Sequence, residues 1–288
     1  MSYRLVTDSC ANLTNAQTKE HNITVIPLSF YIDGKQYKSY DENSPVELSA
    51  FYEYMLDGKR ILTSCANRED IFDVLRPILA NGEDVLYLAF SSALSATYES
   101  AVGAFDELRG EFPQRKLHVC DSRCAALGQG LLVTLAARQK AGGLDLEQLR
   151  QWCENQKQSI AHWFTVSDLR YLKQSGRLGN LAAAVANLLG IRPVLHVDNE
   201  GRLISVHKIR GVNRAVQKMV DQLESTRLEE SPIIWITDAK NPELRNALIA
   251  EIESRMSIAE LYVGELDPVI GAHSGPGTLA LFFLAKER

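Results

Sequence analysis

Four segments that follow apolar, strand-like runs carry short oxygen-bearing side chains: Asp8-Ser9, Thr63-Ser64, Ser91-Ser92-Ala93-Leu94-Ser95 and Asp121-Ser122. Hydroxyls and helix N-terminal amides donate hydrogen bonds, and a carboxylate only accepts them, so such groups gathered at one sheet edge suit an organic acid. The same residue types also cap the helices that follow strands. Taken singly, each hydroxyl therefore reads as a cap or as a ligand group. Two further features carry positive charge or a proton. Lys208-Ile209-Arg210 ends a strand-like run, and strand alternation puts its two cations on one face, either solvated or facing an anion. His273 precedes Ser274-Gly275-Pro276-Gly277, as a turn residue or as a group facing an anion.

Other chemistries lack their residues. No Gly-Lys-Ser or Gly-Lys-Thr occurs, which removes the phosphate loop of ATP-binding folds, and no Gly-x-Ser-x-Gly elbow or His-Glu-x-x-His helix is present. Gly128-Gln129-Gly130 opens like a dinucleotide fingerprint, but Val133 stands where the third glycine belongs. Close packing of a helix on a sheet explains those glycines better. Cys120 and Cys124 lie near His118, yet no second pair completes a zinc spacing, and neither a metal nor a cofactor is expected. The five cysteines, Cys10, Cys65, Cys120, Cys124 and Cys153, are odd in number and dispersed, as reduced thiols would be. A net charge of -5 argues against a general nucleic-acid or anionic-membrane surface. No signal-peptide pattern or long apolar span stands out, so a cytoplasmic protein with at most transient membrane contact is expected.

The elements that must position these groups alternate through the first half. Strands are expected at Tyr3 to Thr7, Val25 to Tyr31, Lys35 to Tyr40, Val85 to Phe90 and Lys116 to Cys120, with helices from about Ser44-Pro45, from Asn67, up to Leu108, up to Gly142-Gly143 and from Asp145. Asp33-Gly34 is a hairpin signal, placing a hairpin insertion at about 23–42. Repeated β-loop-α units predict a mostly parallel, Rossmann-like sheet with ligands at its carboxyl ends. In the second half, strands are expected at Trp163 to Val166, Val194 to Val197, Leu203 to Ile209, Ile233 to Thr237, Leu261 to Gly264 and Val269 to His273. Helices are expected from Asp168, over Leu181 to Leu189, Gly211 to Leu228 and Pro242 to Met256. The chain thus reads as two α/β domains, 1–160 and 161–288, the second with a mixed or antiparallel sheet.

Taken in order, several segments together resemble the DegV family of fatty-acid-binding proteins, which includes the acyl-carrying subunit of bacterial fatty-acid kinase. The matching pieces are Thr7-Asp8-Ser9, Leu62-Thr63-Ser64, Ser91 to Tyr98, Val119-Cys120-Asp121-Ser122, Leu169 to Arg177, Ile191 to Leu195, Lys208-Ile209-Arg210 and His273 to Gly277. The resemblance implies a fatty acid such as palmitate, buried between the two domains with Thr63 and Ser95 on its carboxylate. It also implies that Arg210 and His273 flank the head group, where a separate ATP-binding kinase delivers phosphate; the chain alone would then be no enzyme. Three segments depart from the family pattern: Cys65-Ala66-Asn67 replaces Gln-Pro-Ser, Ala96 replaces a glycine, and Ser175 replaces the first glycine of Gly-Gly-Arg. Candidate lining residues for the tail are Phe30, Ala182, Val185, Leu188 and Leu189. A small-molecule enzyme or a nucleotide-binding regulator using the same crevice is the alternative.

Overall fold

The structure is a computed structural model that describes residues 2–178, 190–230 and 232–288. Strands β1 (Tyr3–Asp8), β2 (Ile23–Ile26), β6 (Asp84–Ala89) and β7 (Leu117–Asp121) form a parallel sheet in the order β2-β1-β6-β7. Alternation sends Val6, Val85, Tyr87 and Ala89 to one face, against Ile71, Leu75, Ala101 and Phe105 of helices α3 (Arg68–Ala80) and α4 (Thr97–Glu111). Leu5, Leu86 and Leu88 face the other way, toward α5 (Ala126–Ala141) and α6 (Leu146–Gln156). Both faces are covered, which is why β6 reads as a continuous apolar run. Capping boxes start α3 at Asn67 with Asp70 and α6 at Asp145 with Gln148.

A second, six-stranded mixed sheet has the order β10-β9-β8-β13-β11-β12. Its strands are β8 (Ile160–Thr165), β9 (Ile191–Val197), β10 (Leu203–Arg210), β11 (Ile233–Asp238), β12 (Glu260–Glu265) and β13 (Leu279–Leu284). Only β11 and β12 pair in parallel. Helices α8 (Val212–Thr226) and α9 (Pro242–Glu253) cover one face through Val216, Met219, Leu223, Leu244 and Leu248. The other face meets α5, which is buried along nearly its whole length between the two sheets. An apolar helix with no polar stripe belongs in such a position. A Cβ on Gly128 would lie 2.1 Å from His162 Nε2 and one on Gly130 2.4 Å from the Ala11 carbonyl, so close packing accounts for both glycines.

Several expectations change. The run from Val25 to Tyr31 divides at Pro27, which has no N–H to give a ladder. Ile23–Ile26 therefore joins the parallel sheet, and only β3 (Ser29–Ile32) and β4 (Lys35–Lys38) form the hairpin. Asp33 and Gly34 both take positive φ, as a tight hairpin turn requires. The hairpin recruits β5 (Leu62–Ser64) as a third antiparallel strand, so Thr63 sits outside the parallel sheet. Helix α2 (Leu48–Leu56) begins beyond Ser44-Pro45, because Asp41 takes the Asn43 and Ser44 N–H groups into a turn. Val269 to His273 is helical, within α10 (Pro268–Ser274): Asp267 accepts from the Val269 N–H at 2.8 Å and Pro268 opens the helix. The closing strand is β13, a wholly apolar run that the expected set lacked. No helix among the described residues is long and apolar enough to cross a membrane.

Candidate binding site

The apolar face of the mixed sheet and the carboxyl ends of the parallel strands line a cavity of about 210 Å³. Thr63, Ser95, Arg177 and His273 line it, together with a long apolar wall that includes Phe90, Leu94, Phe164, Leu203 and Phe282. Arg177 is the one guanidinium among the described lining residues, and none of them is a carboxylate. A polar crevice that shares Thr63, Arg177 and His273 adjoins the cavity and adds Arg60, Asp168, Arg170 and Gln174.

Thr63 arrives on β5 and His273 on the last turn of α10. Their side chains meet, with Thr63 Oγ1 2.7 Å from His273 Nε2. Burial, and then the nearby Arg177 charge, push His273 down to about 4. The imidazole is therefore neutral at neutral pH and meets Thr63 as a hydrogen-bonding group. Ser95 precedes α4, where its Oγ receives the Thr97 N–H at 3.2 Å and lies 2.9 Å from Thr97 Oγ1. The N-cap of α4 is Ala96 and makes no side-chain cap bond, so the Ser95 hydroxyl closes a local turn onto Thr97 while lining the cavity.

The other strand ends hold loops instead. Asp8 is fully buried and accepts from the Phe90 N–H at 2.7 Å, the Tyr87 hydroxyl at 3.0 Å, the Cys10 N–H at 3.1 Å and Gln129 Nε2 at 3.2 Å. Desolvation pushes it up to about 6 despite these donors. Ser9 Oγ accepts from the Leu28 N–H at 2.9 Å, Asp121 accepts from Ser92 Oγ at 2.6 Å, and Ser91 Oγ donates to the Gly201 carbonyl at 2.9 Å.

Arg210 is not brought to the cavity. It is exposed at the end of β10, opposite Ile191 and two strands from β8, and lines neither the cavity nor the crevice. Near it on the neighbouring strand β9 lies Arg192, whose Nη1 donates to Ser167 Oγ at 3.0 Å. Phe30 is buried between Phe51 and Tyr37, away from the cavity wall. Ala182, Val185, Leu188, Leu189 and the expected helix from Leu181 to Leu189 lie outside the described residues. Among the described residues no group of three His, Cys, Asp or Glu side chains could hold a metal. His118 instead contacts Glu147 at 2.7 Å.

Two site residues escaped sequence reasoning. Arg177 follows Gly176, whose φ of +73 turns the chain back, and its Nε donates to the Leu94 carbonyl at 3.3 Å, beside Ser95. The signal was the Ser175-Gly176-Arg177 turn itself, which placed a cation immediately after a helix stop. Ser274 Oγ is buried against the cavity with no hydrogen-bond partner among the described residues; it lies in the His273 to Gly277 segment, of which sequence reasoning took only His273 as a site residue. The assembled end offers the hydroxyls of Thr63, Ser95 and Ser274, a neutral imidazole and one guanidinium, a donor set for an oxyanion. The apolar wall offers a place for a hydrocarbon.

Residues 2–286 match the family model described as "Uncharacterised protein, DegV family". A DegV domain-containing protein of Clostridium perfringens is 34% identical over 285 residues, covering 99% of this chain and 98% of that one. A solved structure described as fatty acid binding of a DegV family protein from Thermus thermophilus superposes with a TM-score of 0.89 at 28% identity, covering 99% of this chain and 100% of that one. A DegV lipid-binding protein from Thermotoga maritima gives a TM-score of 0.87 at 27% identity, with 100% of both chains covered.

Proposed function

The chain belongs to the DegV family, and on that premise we propose that it binds one long-chain fatty acid, such as palmitate, between units 1–160 and 161–288. The observation that carries this reading is the polarity of the cavity: hydroxyls, imidazole and guanidinium at one end, hydrocarbon along the rest. Thr63 and Ser95 hold the carboxylate, with Arg177 supplying positive charge. Each charge-assisted hydrogen bond contributes about 1.5–3 kcal/mol. Each buried methylene contributes about 0.8 kcal/mol, so the tail supplies most of the affinity and the head group fixes position.

The bound acid is presented to a separate ATP-binding kinase, which transfers a phosphoryl group to a carboxylate oxygen and releases ADP. This chain carries no phosphate loop of its own. His273, at the polar end of the cavity, assists that transfer, while Arg210, exposed on the edge strand away from the cavity, is assigned to contact with the kinase. The setting is the cytoplasm, with at most transient membrane contact and no cofactor. Native mass spectrometry of the purified chain tests the reading. A mass increment matching one long-chain acid supports it, while a bound nucleotide would favour a regulator instead. A chain that neither retains nor takes up fatty acid overturns it.

A further inference from the structure

His162 is buried within an otherwise apolar wall and lines the cavity. The Ala125 N–H donates to its Nε2 at 3.2 Å, so the ring proton resides on Nδ1, which lies 2.9 Å from the Ile160 carbonyl. Both nitrogens are occupied by backbone. The ring therefore presents only carbon to the cavity, and an edge-on contact with Phe282, at 5.3 Å between centroids, fixes its tilt. Gly128 lies behind it, with no room for a Cβ. The imidazole can neither swing away nor retreat.

Its level in the sheet is informative. On β13 and the residue before it, Thr278, Ala280 and Phe282 line the cavity in alternation, and Phe282 pairs with His162. Thr278 belongs to the polar end, since its Oγ1 donates to the Ser274 carbonyl at 3.1 Å. From there to Phe282 is about 13 Å at the usual rise of a strand. Val197, opposite Leu203 on β10, completes the same level, and no described residue of the mixed sheet beyond it lines the cavity.

We propose that the His162 ring is the floor of the acyl cavity and sets the longest tail the protein accepts, with Gly128 holding the ring at that depth. This rests on the fatty-acid reading above. The substrate class narrows accordingly: a palmitate tail, longer when extended than this depth, must bend on its way to the ring, and acids too long to do so must leave their head group.

The test is competition among saturated acids of graded length, read by mass spectrometry of the lipid retained. His162→Ala opens the floor, and the expected result is roughly a tenfold gain in relative preference for acids about two methylenes longer than the wild-type optimum. Gly128→Ala pushes the ring into the cavity, and the expected shift is toward shorter acids. Wild-type protein that takes no fatty acid refutes the proposed function. Wild-type protein that binds fatty acids, with an unchanged length optimum in the folded variants, refutes the floor alone. Should neither variant fold, a wild-type complex decides: the terminal methyl lies within about 4 Å of the His162 ring, or the inference is wrong.

Discussion

Replacing Thr63 by alanine removes a hydroxyl that already has one partner. Its Oγ1 lies 2.7 Å from Nε2 of a neutral His273. The arrangement that leaves no donor idle has Nε2–H donating to Thr63, whose own proton then faces the cavity and a bound carboxylate. Such a relay polarises the hydroxyl and strengthens its bond to the anion. Loss of one hydrogen bond to a charged acceptor costs about 1.5–3 kcal/mol, a weakening of roughly tenfold to 150-fold. The tail is untouched, so each added methylene still contributes about 0.8 kcal/mol. Displacement of a fluorescent fatty acid, measured for a series of chain lengths, should give Thr63→Ala and wild-type plots of log affinity that run parallel and differ by a constant. Thr63→Ser keeps the hydroxyl and should fall near wild type. A loss below about threefold at every length (about 0.7 kcal/mol), or one that grows with length, would show that Thr63 does not hold the head group.

Three further outcomes concern the frame of the fold. Burial pushes the Asp267 carboxyl up to about 8 against an ordinary 3.8, so between these values the folded chain holds a proton that the unfolded chain has released. That contribution to stability is complete below about pH 4 and is lost as pH rises through 8. His273, depressed to about 4 from 6.5, works oppositely and is spent by pH 6.5. Between pH 6.5 and 8, wild type should therefore lose roughly 1.5 kcal/mol relative to Asp267→Asn in urea unfolding; equal pH slopes would contradict the assignment. Gly130→Ala brings a methyl against the Ala11 carbonyl and should destabilise by about 1–3 kcal/mol. Gly103→Ala, in open space on α4, should stabilise by roughly 0.5–1 kcal/mol in the same thermal denaturation series.

The parallel half was legible because its strands are buried on both faces and its helices open with side-chain caps; Asn67, Asp145 and the β6 run each state their role locally. The hairpin turn at Asp33-Gly34 was equally plain. Its partner was not: nothing in Leu62–Ser64 says that it pairs with β3 and not with the parallel sheet, because strand pairing is a long-range choice. Val269 to His273 is apolar enough to pass for a strand, and only the Asp267-Pro268 start marks it as a helix. Within the site, Thr63 and Ser95 were named through an ordered set of motifs, and the cavity gathers both. The neutrality of His273 follows from burial and from Arg177, which no spacing rule could place beside it. Arg210 stands on the right strand but away from the cavity, since strand register decides which end of β10 meets the wall.

The position of β13 has a consequence for how the protein comes into being. It lies between β8 and β11, and its Ala280 and Phe282 form part of the cavity wall, although both neighbours precede it in the chain. A ribosome therefore releases the parallel half, free to fold as a unit, long before the mixed sheet can close. Until Leu284 has emerged, β8 and β11 have a gap between them and the apolar wall has no centre. On the proposed function, loading with a hydrophobic guest waits for β13, and a nascent chain stalled before it leaves the apolar side chains of β8 uncovered on that side.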